Sequence, residues 1–359
     1  MNRIYNFSAG PSTLPLEVLQ EAQENLVDYQ GAGLSIMEDS HRGKPYDAIH
    51  QEAIENIREL LALSDDYAVL FLTGGATGQF AMLPMNFLPE GKVADYTNSG
   101  AWASKAIKEA QRIGQVNVIA NCGKDIPTRV PALADLAYSE DAAYVHITSN
   151  ETISGAQWQE FPVTEAPLVA DMSSDILSCP LDINQFGLIY AGAQKNLGPA
   201  GVTLVIIRKD WAERALDSIP AFYRYQTHIE GNSLYNTPPC FPIYILMLVT
   251  RWLKKQGGLQ AIADINRRKA ALLYGAIDAS SFYKGTALPE YRSLMNVTFR
   301  LPNEELEQAF VKSAKEHDMA GLKGHRSVGG IRASIYNAMP EAGVEALVAF
   351  MKEFETQNG

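Results

Sequence analysis

The sequence predicts an α/β protein: a large domain on a mostly parallel sheet with helices on both faces, then a smaller C-terminal α+β domain. Three observations carry that expectation. Short apolar runs alternate with helix-like segments from Ala68 to Ile147, the pattern of repeated βα units. Two further apolar runs, Phe186 to Ala191 and Val202 to Ile207, read as buried strands on either side of a loop of small residues. Beyond about residue 260 the alternation gives way to amphipathic helices around an alternating strand. At 359 residues the chain exceeds one ordinary core. The expected division is a large domain over 16–259 and a small domain over 260–359, with an N-terminal arm, 1–15, associated with the small one.

In chain order, Gly10-Pro11 punctuates the arm, and a helix is expected from Leu16 to about Asp28. The polar loop that follows holds His41, Arg42 and Lys44, a cluster of potential cations in an acidic protein. Ile49, Ala53, Ile57, Leu60 and Leu61 recur at helical spacing. The strand Ala68 to Leu72 then runs into Thr73-Gly74-Gly75-Ala76-Thr77-Gly78 and a helix to Leu88. A strand, a glycine turn and a helix N-terminus together present backbone N–H groups to a phosphate. The turn is no P-loop, since no Gly-Lys-Ser/Thr follows, and it lacks the order of a dinucleotide fingerprint.

Strands at Val93 to Tyr96, Val116 to Ile119 and Ala143 to Ile147, with a helix from Ala101 to about Ile113, continue the alternation. Ligands in such folds gather at the carboxyl ends of the strands. The stretch 223–239 is a turn-rich loop of the sort that is commonly functional. The apolar run Ile243 to Val249 reads as a buried or intersubunit helix, being too short to cross a bilayer. A strand from Met295 to Arg300 and a helix from Asn303 to about Asp318 follow. A last helix places Val344, Leu347, Val348, Met351 and Phe354 on one face.

Hydrophobic residues at 47% and charged residues at 20% describe an ordinary globular protein, and a net charge of -11 argues against nucleic-acid or acidic-membrane partners. Cys122, Cys179 and Cys240 lie far apart, with neither zinc spacing nor a disulfide framework. No metal is expected and a reducing cytoplasm fits. The first residues lack the apolar core of a signal peptide.

The chemistry centres on Lys195, alone among small residues in the loop between the two late strands. A lysine short of water and near other cations can lose its proton and attack a carbonyl; a loop lysine in solvent is the plainer alternative. Asp171 ends the apolar run Pro167 to Ala170, so one strand excursion returns the chain beside it. A buried carboxylate needs a cationic or hydrogen-bonding partner, and a protonated pyridine nitrogen supplies one. Lys195 with Asp171 is the pair that a pyridoxal 5'-phosphate enzyme uses, as Schiff-base anchor and ring-nitrogen partner. A helix N-cap is the other reading of Asp171.

Several stretches in order resemble the phosphoserine aminotransferase family across essentially the whole chain. They are His41-Arg42-Gly43-Lys44, Ala191-Gly192-Ala193-Gln194-Lys195-Asn196-Leu197-Gly198-Pro199-Ala200-Gly201, Asn236-Thr237-Pro238-Pro239 and Gly324-His325-Arg326-Ser327-Val328-Gly329-Gly330-Ile331-Arg332-Ala333-Ser334. The resemblance implies a fold-type-I transaminase with a seven-stranded sheet, a homodimer with active sites shared between subunits. It implies glutamate and 3-phosphohydroxypyruvate as substrates, and in bacteria also 3-hydroxy-2-oxo-4-phosphooxybutanoate on the route to pyridoxine. Lys195 matches the family's proton shuttle, Trp102 the aromatic stacked on the cofactor ring, Thr152 a ligand of the ring hydroxyl region and Gln194 a cofactor-binding amide. Ala76 and Thr77 match the phosphate turn, and Asn236 and Thr237 match phosphate ligands donated by the neighbouring subunit. Arg332 matches the α-carboxylate clamp, while His41, Arg42, His325 and Arg326 match groups for the distal phosphate or the glutamate side chain, some from the partner. Two positions depart from some relatives: Thr77 stands where they carry arginine, and Ala9 where they carry serine. A cysteine desulfurase-like lyase would need a reactive cysteine on a mobile loop, which none of the three matches. A phosphometabolite-binding protein would not need Lys195 and Asp171 together.

Overall fold

The computed structural model describes residues 3–122 and 127–359. Seven strands form the main sheet: β1 (Tyr67–Leu72), β2 (Val93–Asn98), β3 (Gln115–Asn121), β4 (Val145–Thr148), β5 (Leu168–Asp171), β6 (Leu188–Gly192) and β7 (Thr203–Arg208). Their order across the sheet is β1-β7-β6-β5-β4-β2-β3. The neighbours from β6 to β3 pair in parallel, while β7 runs antiparallel to both β6 and β1. The connection 193–202 explains the exception. A parallel return needs a crossover of roughly a dozen residues or more, usually a helix, and this connection carries the lysine loop instead.

Side chains alternate between two cores, as the two-residue period of a strand demands. In β1, Val69 and Phe71 pack with Ile49, Ala53 and Ile57 of helix Lys44–Leu60 and with helix Cys240–Lys255. Ala68, Leu70 and Leu72 face the other way, onto Phe80 and Leu83 of helix Gly75–Phe87 and Ala106 and Ile107 of helix Ala101–Ala110. With both faces covered, every residue of β1 is buried. The apolar run Ile243–Val249 is buried within one chain.

A third core lies around a three-stranded antiparallel sheet, Lys284–Gly285, Asn296–Arg300 and Ile331–Ser334. Phe299, Phe310, Phe350 and Phe354 pack there with helices Glu304–Glu316 and Glu341–Asn358. Helix Gly258–Asp278 joins this core to the one that holds Val69 and Phe71: Leu259 and Ile262 pack in the latter, Leu273 and Ile277 in the former. Tyr5–Asn6 of the arm pairs in parallel with Met319–Ala320; residues 1 and 2 of that arm lie outside the described residues.

Two helices end earlier than their periodicity suggests. Helix Leu16–Glu24 stops where Asn25 turns back, its N–H and Nδ2 both donating to the Glu21 carbonyl. Helix Ala101–Ala110 stops where the N–H groups of Ile113 and Gly114 both fall back on the Ala110 carbonyl.

Candidate active site

The carboxyl ends of β1, β4, β5 and β6 converge on one cleft of about 270 Å3. Ala76, Thr77, Trp102, Thr152, Asp171, Gln194 and Lys195 all line it. A larger cavity, about 690 Å3, opens at the amino ends of the strands among Lys92, Tyr138, Glu165 and Trp211, and holds none of the candidate residues.

At one end of the cleft, Gly74 takes φ +95° and Gly75 φ +61°, a left-handed pair that L side chains resist, and the chain turns there into helix Gly75–Phe87. Gly75 N–H donates to Thr203 Oγ1 at 2.8 Å. The next amides, of Ala76 and Thr77, belong to the first turn, where no helical carbonyl can receive them. A helix amino end with free N–H groups is a place for an anion.

Lys195 enters from the turn after β6. Its Nζ donates to Thr152 Oγ1 at 2.7 Å and stands 5.9 Å from the centroid of the Trp102 ring. Burial pushes the amine down to about 8, with Asp171 opposing and Arg332 adding to the shift. Asp171 is 5% exposed and accepts the Ser173 N–H at 2.9 Å. Burial raises its pKa, against that hydrogen bond and the charge of Lys195. The site thus contains a carboxylate short of a cation and an amine short of water.

Other groups here lack partners. Trp102 Nε1 and Thr148 Oγ1 are buried with nothing to bond, although both residues line the cleft. Arg332, on the strand Ile331–Ser334, places Nη1 3.4 Å from the Thr152 carbonyl and leaves Nε unpaired. Burial lowers its pKa. His325 is also held below the usual histidine value, by burial and by the charges of Arg332, Arg326 and Lys105. Cations from a helix, a loop and a strand therefore lie near one another behind Trp102 and Thr152 of the cleft wall, although Lys105, His325, Arg326 and Arg332 do not themselves line the cleft.

A family model described as Aminotransferase class-V matches residues 4–347. The phosphoserine aminotransferase of Desulfosudis oleivorans is 57% identical over 360 residues, covering 99% of each chain. The chain belongs to the phosphoserine aminotransferases. A solved member from Bacillus circulans subsp. alkalophilus superposes with a TM-score of 0.98 at 54% identity over 99% of each chain. A PLP-bound phosphoserine aminotransferase from Trichomonas vaginalis gives 0.94 at 41%, covering 98% of this chain and 100% of that one.

Within this phosphoserine aminotransferase fold, some candidates stay apart. Arg42 and Thr237 are exposed, His41 and Asn236 half-buried, and none of the four lines the cleft of its own chain. Arg42 Nε points to His41 Nε2 at 3.4 Å, and Asn236 Nδ2 donates to the Thr237 carbonyl at 3.1 Å.

Three contributors have no motif to announce them. Ser12 of the arm donates from Oγ to the Lys195 carbonyl at 2.6 Å and from N–H to the Gln194 carbonyl at 2.9 Å, tying down the lysine loop. Lys105 sets its Nζ 4.1 Å from the Trp102 ring centroid; one helical turn between a tryptophan and a lysine was the only available hint. Glu151 is fully buried beside Trp102.

Proposed function

We propose that the chain is a pyridoxal 5'-phosphate enzyme that passes the amino group of L-glutamate to 3-phosphohydroxypyruvate, giving O-phospho-L-serine and 2-oxoglutarate. The observation that carries this reading is Lys195 Nζ, 2.7 Å from Thr152, in the same cleft as the buried Asp171.

The cleft suits the cofactor. Its amino-end N–H groups at Ala76 and Thr77 would take the phosphate, and the Trp102 ring offers an apolar face. The Asp171 carboxylate, lifted by burial, is relieved when a pyridinium nitrogen faces it. Bound there, pyridoxal 5'-phosphate supplies an electron sink for the pair released at the substrate Cα. Lys195 is its covalent anchor. Once the substrate's amino group has displaced it from the cofactor, the amine, with a pKa near 8, would be partly unprotonated at neutral pH, so Nζ would take the proton from the substrate Cα and deliver it to the cofactor's aldehyde carbon, and carry it the other way in the reverse half-reaction. Thr152 Oγ1 holds that nitrogen, and Gln194 lies on the cleft wall beside it.

Arg332 receives the α-carboxylate through its planar fork. His325 and Arg326 take the distal anion, whether phosphate or glutamate carboxylate. His41, Arg42, Asn236 and Thr237 then come from a second copy, in a homodimer with shared sites. Support comes from the surface around helix Leu16–Glu24, where Val27 is 81% and Met37 55% exposed, apolar area of the kind a second copy covers. The three cysteines are unpaired, which fits a reducing cytoplasm. Among the described residues no helix is long and apolar enough to cross a membrane.

The test is a coupled transamination assay that compares O-phosphoserine with serine as amino donor to 2-oxoglutarate. Preference for the phosphorylated donor is expected. Equal turnover of the two, or a chain that takes up no pyridoxal phosphate, removes the reading.

A further inference from the structure

Helix Ala101–Ala110 begins one residue before the tryptophan that walls the cleft, and it begins without the usual means. Gly100 stands at its N-cap, no side chain at that position accepts a hydrogen bond, and its first turn has no acidic residue. The orphan donors of that turn still need partners. Glu151 meets them from 49 positions away in sequence. Its Oε2 accepts the Trp102 N–H at 3.3 Å, and its Oε1 accepts the Ala103 N–H at 3.2 Å and the Ser99 hydroxyl at 3.1 Å. The carboxyl has no exposure to solvent. Its slot is shaped for it: a Cβ on Gly100 would stand 2.7 Å from Glu151 Cδ.

The placement bears on the site. Glu151 immediately precedes Thr152, whose hydroxyl holds Lys195 Nζ. Two consecutive residues thus hold two parts of one cleft's lining, the tryptophan backbone and the lysine amine. The Trp102 indole has no hydrogen bond of its own, since Nε1 lacks a partner. Its attitude is set by the backbone it hangs from, by Lys105 against its ring and by the apolar core it partly packs on. A carboxyl that grips that backbone therefore controls where the ring lies.

We infer that Glu151 is a positioning residue: by binding the first turn of helix Ala101–Ala110 in the Gly100 slot, it fixes the Trp102 ring in the attitude that receives the cofactor. The inference rests on the reading above that pyridoxal phosphate binds in this cleft. A charge-assisted hydrogen bond lost at a buried site weakens what depends on it by about tenfold or more. Glu151→Gln keeps the shape but turns an amide donor toward donors. Its cofactor dissociation constant should rise about tenfold, and the near-ultraviolet circular dichroism of the cofactor-free chain should change in the tryptophan region.

Three measurements decide it. The cofactor-free wild type is titrated with pyridoxal phosphate by absorbance; failure to bind would refute the proposed function, while the dichroism of the cofactor-free variants still tests Glu151. Glu151→Gln is then compared in the wild-type and Trp102→Ala backgrounds. The loss should be largely absent in the second, because the effect runs through the indole. Ser99→Ala, a milder change that removes one donor, should loosen the cofactor in the same direction by about threefold, and it decides the matter should Glu151→Gln fail to fold. A lower melting temperature with unchanged dissociation constant and unchanged dichroism would mean that Glu151 only caps a helix, and overturns the inference. An undiminished loss in the Trp102→Ala background overturns it as well.

Discussion

Replacing Arg332 with alanine probes the anion end of the site most directly. The guanidinium spends little on the protein itself, with one contact of 3.4 Å to the Thr152 carbonyl and an unpaired Nε. In the proposed reaction that fork takes the α-carboxylate of every substrate. Two charge-assisted hydrogen bonds at about 1.5 kcal/mol each give about 3 kcal/mol, roughly 150-fold in kcat/KM. Glutamate and O-phosphoserine should fall by similar factors, because both present the same carboxylate. Arg332→Lys keeps the charge without the fork and should recover only part of the loss. Initial rates with each donor, alongside cofactor content by absorbance, provide the assay. Stability should move the other way: a buried cation with few partners costs folding free energy, so Arg332→Ala should melt no lower than the wild type. A loss of less than about fivefold for either donor, which is about 1 kcal/mol, refutes the clamp, as does loss of the bound cofactor.

Three further outcomes follow from the same geometry. Burial lowers Lys195 to about 8, so the reactive neutral amine is populated as pH rises through that value, and the rate at which the cofactor-free chain takes up pyridoxal phosphate should climb and then level. Asp171 opposes that shift, so Asp171→Asn should move the midpoint lower still; a midpoint near that of an ordinary lysine contradicts the burial argument. Lys195→Ala and Arg42→Ala chains should each be inactive, yet partly active once mixed and allowed to exchange subunits, since one hybrid site is then intact; no recovery in a sample shown to have exchanged rules out the shared site. Lys269, 1% exposed, donates to the carbonyls of Ile335, Tyr336 and Met339 at 2.9, 2.7 and 3.1 Å. Lys269→Met strands three acceptors and should cost about 3 kcal/mol or more in urea unfolding; an unchanged midpoint would show that those carbonyls find other donors.

Much of the site was legible because its parts are local. A strand, two glycines and a helix start are contiguous from Ala68 to Phe87, and backbone N–H groups do their work wherever that order occurs. Lys195 was legible as a loop lysine between buried strands, and Asp171 as the end of the neighbouring one; their registers place Asp171 opposite Tyr190 on β6. Helix ends were read less well, because Asn25 and the turn after Ala110 stop helices by capping rather than by a change in hydrophobic pattern.

What the sequence determined by itself was the layered fold, and it singled out Lys195 and the glycine turn as the proposed anchor and phosphate turn, since each rests on periodicity or on a few adjacent residues. Only the tertiary structure decided who holds them in place. Ser12 meets the lysine loop across 183 positions, Arg332 reaches Thr152 across 180, and Glu151 grips the tryptophan helix across 49. The direction of β7, the depth of burial that lowers Lys195 and lifts Asp171, and the exclusion of Arg42 and Asn236 from their own chain's cleft belong with them. Desolvation, and hydrogen bonds between distant segments, depend on what the folded chain brings near, and no local pattern records that.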